Sequence, residues 1–134
     1  VGYGQLAWKL RQDPRVVVME RTNIRSVKRE HLDPAPGLVV ADLSFVSLHG
    51  LFASLGALAG EQGRILALVK PQFEVGRSDL VGGVVEDQEV RARAIAGVEA
   101  AAARGGFEVL GREDSPLAGA DGNLECFLLL TRAG

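Results

Sequence analysis

Residues Leu38-Val-Val-Ala-Asp-Leu43 form a short apolar run that follows the turn Pro34-Ala-Pro36-Gly37 and finishes on an acid. A run this short, bounded by Pro and Gly and rich in β-branched residues, predicts a buried strand. Arg64-Ile-Leu-Ala-Leu-Val-Lys70 is a second run of the same kind; it finishes on a lysine, and Pro71 prevents regular continuation. Between the two, Ser47 is placed to cap a helix through about Leu58, with Leu48, Leu51, Phe52, Leu55 and Leu58 on one face and Gly60 and Gly63 closing it. Strand, helix, strand with nearly unbroken apolar strands is the repeating unit of an α/β sheet.

Outward from this unit the alternation continues. Towards the amino end, a short helix is predicted over Tyr3–Gln12, and Arg15-Val-Val-Val-Met-Glu20 reads as another buried strand, with Thr22-Asn23 as a loop or helix start. Towards the carboxyl end, residues 74–86 mix glycines with charges and read as a mobile loop and a candidate lid. Asp87 starts a helix to about Arg104, and Phe107–Arg112 and Leu124–Thr131 are the closing strands, separated by a Pro/Gly-rich loop. The expectation is one α/β layered domain whose middle strands are covered on both faces. Ligands of such sheets bind beyond the carboxyl ends of the strands. Glu20 with Asn23, Asp42, and Lys70 stand at three of those ends and form the candidate site.

The 134 residues, 47% hydrophobic and 24% charged, suit one globular domain with a core and exclude a disordered or low-complexity chain. The longest strongly apolar runs, Leu38–Ala41 and Ile65–Val69, fall far short of the ~20 residues of a spanning helix. The first residues show no secretion leader. The single Cys126 sits in the apolar run Glu-Cys-Phe-Leu-Leu-Leu with no second cysteine for a disulfide or a metal cluster, so a buried reduced thiol, a cytoplasmic location and no metal are expected. Net charge is −2, yet residues 1–30 carry seven Lys/Arg against three acids. Such asymmetry marks either a nucleic-acid-facing surface or a solvated helix face. Because the sequence opens on Val1 and its only methionine is Met19, it is expected to be a piece of a longer chain.

Five segments, in order, carry a resemblance: Val1-Gly-Tyr-Gly-Gln-Leu-Ala-Trp-Lys-Leu10, Met19-Glu-Arg-Thr-Asn-Ile-Arg25, Val40-Ala-Asp-Leu-Ser-Phe-Val-Ser-Leu48, Leu68-Val-Lys-Pro-Gln-Phe-Glu74 and Gly122-Asn-Leu-Glu-Cys-Phe-Leu128. Together they closely resemble the TlyA family, bacterial ribosomal RNA 2′-O-methyltransferases related to FtsJ and also called haemolysin A, over essentially the whole chain. The resemblance implies a Rossmann-like class I fold that uses S-adenosylmethionine. In that fold the first strand is central, the fourth lies beside it, and an antiparallel seventh strand lies between the fifth and the sixth. It also implies a Lys–Asp–Lys–Glu tetrad, of which Asp42, Lys70 and Glu125 are here. The first lysine, the cofactor glycine loop, the ribose-binding acid and an S4-like RNA-binding domain are expected upstream of Val1. So are strands 1 and 2, leaving a partial methyltransferase domain over residues 1–134 in which Arg15–Glu20 has no native neighbour and residues 37–134 form a four-stranded half-sheet.

By the same resemblance, Asn23 and Ile24 meet the adenine, Val1 and Gly2 follow the ribose-binding acid, and Asp42 meets the methionine end of the cofactor. The chemistry suits these residue types. A ribose hydroxyl is a poor nucleophile, and a lysine positioned to accept or steer its proton assists attack on the methyl group. Asp42 is then expected to orient Lys70, and Glu125 to hold a lysine by a charge-assisted hydrogen bond. Arg21, Arg25, Lys28 and Arg29 are placed to contact the phosphates of ribosomal RNA, adding affinity without sequence choice. The cytidine ribose is the expected target, and the isolated chain is expected to be inactive. Competing readings are a non-catalytic RNA-binding remnant and, less favoured, a haemolysin or a nicotinamide-dependent dehydrogenase.

Overall fold

A computed structural model describes residues 2–134; Val1 lies outside the described residues. Four strands, β1 (Leu38–Ala41), β2 (Arg64–Val69), β3 (Phe107–Asp114) and β4 (Cys126–Arg132), form one sheet in the order β1-β2-β4-β3. β1 and β2 are parallel, from Leu38 opposite Arg64 to Ala41 opposite Ala67. β4 runs antiparallel to both of its neighbours. A parallel pair requires a crossover, and the helix α2 (Phe52–Leu58) lies within it. Gly50 interrupts the helix expected from Ser47, so Leu48–Gly50 form a separate 3-10 turn before α2. The long helix α3 (Gln88–Arg104) is capped by Asp87, whose Oδ1 accepts from Glu89 N at 2.8 Å. Gly106, at φ +87°, turns the chain from α3 into β3 in a conformation that favours glycine.

The strands alternate as period-2 geometry demands. Ala41, Ile65, Ala67, Val69, Leu128 and Leu130 face one side, where they meet Phe52 and Leu55 of α2 and Ile95, Val98 and Ala102 of α3 in a single core. The opposite face carries Leu38, Val40, Leu66, Leu68, Phe127 and Leu129, all half-buried or exposed, with Val40 at 63%. The expected cover on both faces is therefore corrected: both helices feed one core, and the second face keeps a band of partly open apolar side chains.

The strand read from Arg15–Glu20 does not form, although its β-branched run has high strand propensity. Propensity is realised only against a neighbour, and among the described residues none pairs with this run or with the outer edge of β1. Glu20 accordingly is no strand-end group: it pairs with Arg11 and accepts from Gly4 N at 3.3 Å. The amino-terminal helix shrinks to α1 (Trp8–Arg11), which has no buried residue to anchor it. Residues 74–86 contain a 3-10 turn (Arg77–Asp79) and a tight reversal in which Val81 and Val84 exchange hydrogen bonds of 2.9 and 3.0 Å. Asn123 is buried and ties this reversal down, since its Oδ1 accepts from Val85 N at 3.0 Å and its amide donates to the Gly83 carbonyl at 3.0 Å. No described helix is long and apolar enough to cross a membrane.

Candidate functional site

Asp42 directly follows β1 and Lys70 directly follows β2. Because these strands are parallel neighbours, their carboxyl ends lie side by side, and Lys70 Nζ stands 2.7 Å from Asp42 Oδ1. The same ammonium donates to Ser44 Oγ at 3.0 Å. The lysine side chain is only 13% exposed while that of the aspartate is 65% exposed, so the carboxylate keeps an open side for a ligand. An ion pair with one partner this hydrated contributes ~0–1 kcal/mol. Its geometry is set by the strand ends and their loops, because so weak a pair cannot order them.

Glu125 precedes β4, one step beyond the Val69–Cys126 pair of the β2–β4 ladder, which puts it across from Lys70 in register. The carboxylate bonds elsewhere: Gln72 Nε2 donates to Glu125 Oε2 at 2.9 Å, and Glu125 is 6% exposed. Gln72 is itself buried, and its Oε1 is without a partner among the described residues. Gly119 passes directly over Glu125; a Cβ there would fall 2.0 Å from Oε2. The structure thus brings Asp42 and Lys70 together, while Glu125, in register across from Lys70, turns its carboxylate to Gln72.

Glu74 closes the arrangement. Its side chain is 2% exposed, and it accepts from Ser47 Oγ at 2.6 Å and from Leu48 N at 2.8 Å, with His49 Nε2 at 3.7 Å. Sequence alone does not single out Gln72, Glu74, Ser44 or Ser47 as neighbours of the candidate site. A usable signal existed: two polar residues within Pro71-Gln-Phe-Glu-Val75 alternate with apolar ones directly after a strand, where an exposed loop would not need Phe73 and Val75.

The cofactor candidates lie on the amino-terminal segment. Asn23 caps the 3-10 turn Ile24–Ser26 through Oδ1, which accepts from Arg25 N at 2.9 Å, and Ile24 packs on the core. Gly2 accepts from Arg21 N at 3.1 Å, which brings it close to Asn23 along the chain. Of the basic candidates, Arg21 stacks 3.8 Å over the Tyr3 ring and Arg29 Nη1 donates to the Leu32 carbonyl at 2.6 Å. Arg25, Lys28 and Arg29 line a groove of about 430 Å³ against Ala53, Ser54 and Ala57. Away from the site, burial pushes the Cys126 thiol up, and the hydrogen bond from Arg91 holds the Asp114 carboxyl below its ordinary value.

A mixed α/β sheet carries a paired carboxylate and ammonium just past the carboxyl ends of its two parallel strands, the edge where ligands of such sheets bind. The FtsJ-like methyltransferase family matches residues 1–132, and the chain belongs to that family. It is 50% identical over 131 residues, 97% of its length, to the 16S/23S rRNA (cytidine-2′-O)-methyltransferase TlyA of Mycobacterium tuberculosis, covering 49% of that protein. Identity to hemolysin A of Brachyspira hyodysenteriae is 34%, over 93% of this chain and 53% of the other. The solved structure of a candidate hemolysin of Streptococcus thermophilus superposes with a TM-score of 0.93 at 36% identity, over 98% of this chain and 48% of that one. The chain spans about half the length of the curated relatives it matches.

Proposed function

We propose that this chain is the carboxyl-terminal part of a TlyA-like, S-adenosylmethionine-dependent methyltransferase that modifies a 2′-hydroxyl, at cytidine, in ribosomal RNA. The observation that carries this reading is the Lys70–Asp42 pair of 2.7 Å at the ends of two parallel strands. The residues present fit two ends of the cofactor. The open side of Asp42 suits the ammonium of its methionine end. The side-chain NH2 of Asn23, not used in its turn, and the half-buried Ile24 suit an adenine. Gly2, beside that turn, and Val1 before it belong by family resemblance next to the cofactor ribose.

When bound, S-adenosylmethionine supplies an electrophilic methyl group. Lys70 would orient the ribose hydroxyl and, in its neutral form, accept the proton that the hydroxyl releases. Asp42 faces the lysine head, and Glu125, in register across from Lys70, is expected to accept a charge-assisted hydrogen bond from a lysine of the tetrad. Arg25, Lys28 and Arg29, on one groove, together with Arg21 on the amino-terminal segment, engage phosphates. Ribosomal RNA as substrate places the protein in the cytoplasm.

The open edge and face of the sheet support reading the chain as one part of a domain. β1 has no outer partner among the described residues, Arg15–Glu20 has no sheet to join, and an apolar face is left partly open. The test is transfer of labelled methyl groups to rRNA by the native protein that contains this chain. Asp42→Ala and Lys70→Ala should each slow transfer by roughly 10²–10⁴-fold. Full transfer in both variants refutes the reading, and salt-dependent RNA binding with no transfer in the wild type would mark a binding module instead.

A further inference from the structure

We propose that Glu74 is a positioning residue, its buried carboxylate bolting the loop that carries Asp42 to the loop that carries Lys70. The proposal rests on reading Asp42 and Lys70 as the working pair. The β1–β2 ladder ends at Ala41 and Ala67, before either residue. Beyond it the two loops are joined by side chains, and Glu74 makes the buried part of that junction. One of its oxygens accepts from Ser47 Oγ at 2.6 Å and the other from Leu48 N at 2.8 Å, so both oxygens are engaged by the Asp42 loop. With its side chain 2% exposed, the carboxylate has little water to compete for those donors.

The working pair has no such protection, since Asp42 is mostly hydrated and the pair alone cannot fix its own geometry. A ribose hydroxyl reacts only when held in near-attack position, and a 1 Å misplacement costs about 10²-fold. Glu74 therefore acts on the reaction through Lys70 and Asp42 without touching the reacting atoms. Ala at position 74 removes both acceptors. Gln retains an acceptor for Leu48 N and can donate to Ser47 Oγ.

The experiment is an acetylation footprint of the native protein that contains this chain, read by mass spectrometry, with the exposed Lys9 and Lys28 as internal references for the half-buried Lys70. Glu74→Ala should raise Lys70 labelling by about 5-fold relative to both references, Glu74→Gln should stay within about 2-fold, and Ile95→Val, a core change of purely structural effect, should leave the ratio alone. An unchanged ratio in Glu74→Ala, or an equal rise in Ile95→Val, overturns the proposal. If Glu74→Ala does not fold, Ser47→Ala must raise the ratio by about 2-fold, and no rise there overturns it equally. In methyl transfer by the native protein, Glu74→Ala should lower kcat by about 10- to 100-fold with the KM for RNA unchanged, and an undiminished kcat refutes a positioning role. A wild type that transfers no methyl group sinks the proposed function, while the footprint still decides the clamp.

Discussion

Replacing Gly119 by alanine adds one methyl group, and the structure says where it goes. The backbone at Gly119, φ −77° and ψ −168°, is extended and open to any residue, so no conformational strain accompanies the change. The contact does the damage: the new Cβ would lie 2.0 Å from Glu125 Oε2, 2.4 Å from its Cδ and 2.9 Å from Oε1. Gly119 cannot retreat freely, because its N–H donates to the Asn123 carbonyl at 2.8 Å and holds the loop closed. Glu125 must therefore swing away from Gln72 Nε2, its partner at 2.9 Å. A hydrogen bond to a charged group contributes ~1.5–3 kcal/mol, and a buried donor left alone costs ~1–3 kcal/mol. These two terms overlap, and a net loss of ~2.5 kcal/mol is expected. With an unfolding entropy of about 2.1 cal/mol/K per residue, 134 residues convert that loss into a fall of about 9 °C in Tm. Urea unfolding followed by circular dichroism measures it, alone and in a Glu125→Ala background. There the obstacle is gone, and Gly119→Ala should cost under ~0.5 kcal/mol, a coupling of ~2 kcal/mol. Equal costs in the two backgrounds, or a wild-type cost below ~0.5 kcal/mol, would refute the placement of Glu125.

Other consequences are as direct. Lys70→Ala should lower stability by less than ~1 kcal/mol, since its partner stays hydrated, while methyl transfer falls by orders of magnitude; thermal melts beside the labelling assay show whether the two separate. Asn123→Ala removes the amide that holds Val85 N and the Gly83 and Ala120 carbonyls. At ~0.5–1.5 kcal/mol per bond this amounts to ~2–3 kcal/mol, and limited proteolysis should shift to the Gly82–Gly83 reversal. Cys126, buried and with its thiol pushed up, should resist Ellman's reagent at pH 8 until denaturant is added. The Asp114 carboxyl is held low by Arg91, so its contribution is present above the unfolded value of 3.8 and fades as pH falls through the lower folded value. The carboxylate is 69% exposed, which keeps this contribution small, and Arg91→Ala should slightly flatten the acid limb of a stability–pH curve.

The four sheet strands and α3 were legible because each signal is local. Leu38–Ala41 and Arg64–Val69 are short apolar runs between Pro/Gly turns, and Asp87 announces α3 by its cap. Arg15–Glu20 carries an equally strong local signal and forms no strand, because a strand is completed by a partner that no local pattern reports. The same gap explains the wrong expectation of two covered faces: Leu66 and Leu68 look as buried in sequence as Ile65 and Ala67, and only the placement of α2 and α3 separates them.

At the site, the chemistry-bearing ends of the strands were legible and their supports were not. Asp42 and Lys70 stand out together: a single charge just past a strand is ordinarily solvated, but an acid and a lysine at two apolar strand tips point to one edge, and the parallel register of β1 and β2 then brings them side by side. Gln72 and Glu74 give no such sign, since a polar residue two or four positions past a strand is ordinary until its burial is known. Burial changes its meaning: an amide or carboxylate removed from water must find partners, and the partners found are Glu125 in one case and the Asp42 loop in the other. The segment Lys70–Glu74 therefore holds both the candidate lysine and the two side chains that bond to Glu125 and to the Asp42 loop. A substitution anywhere in those five residues should register at the Lys70–Asp42 pair, whereas changes in Arg77–Asp79, just beyond, should not.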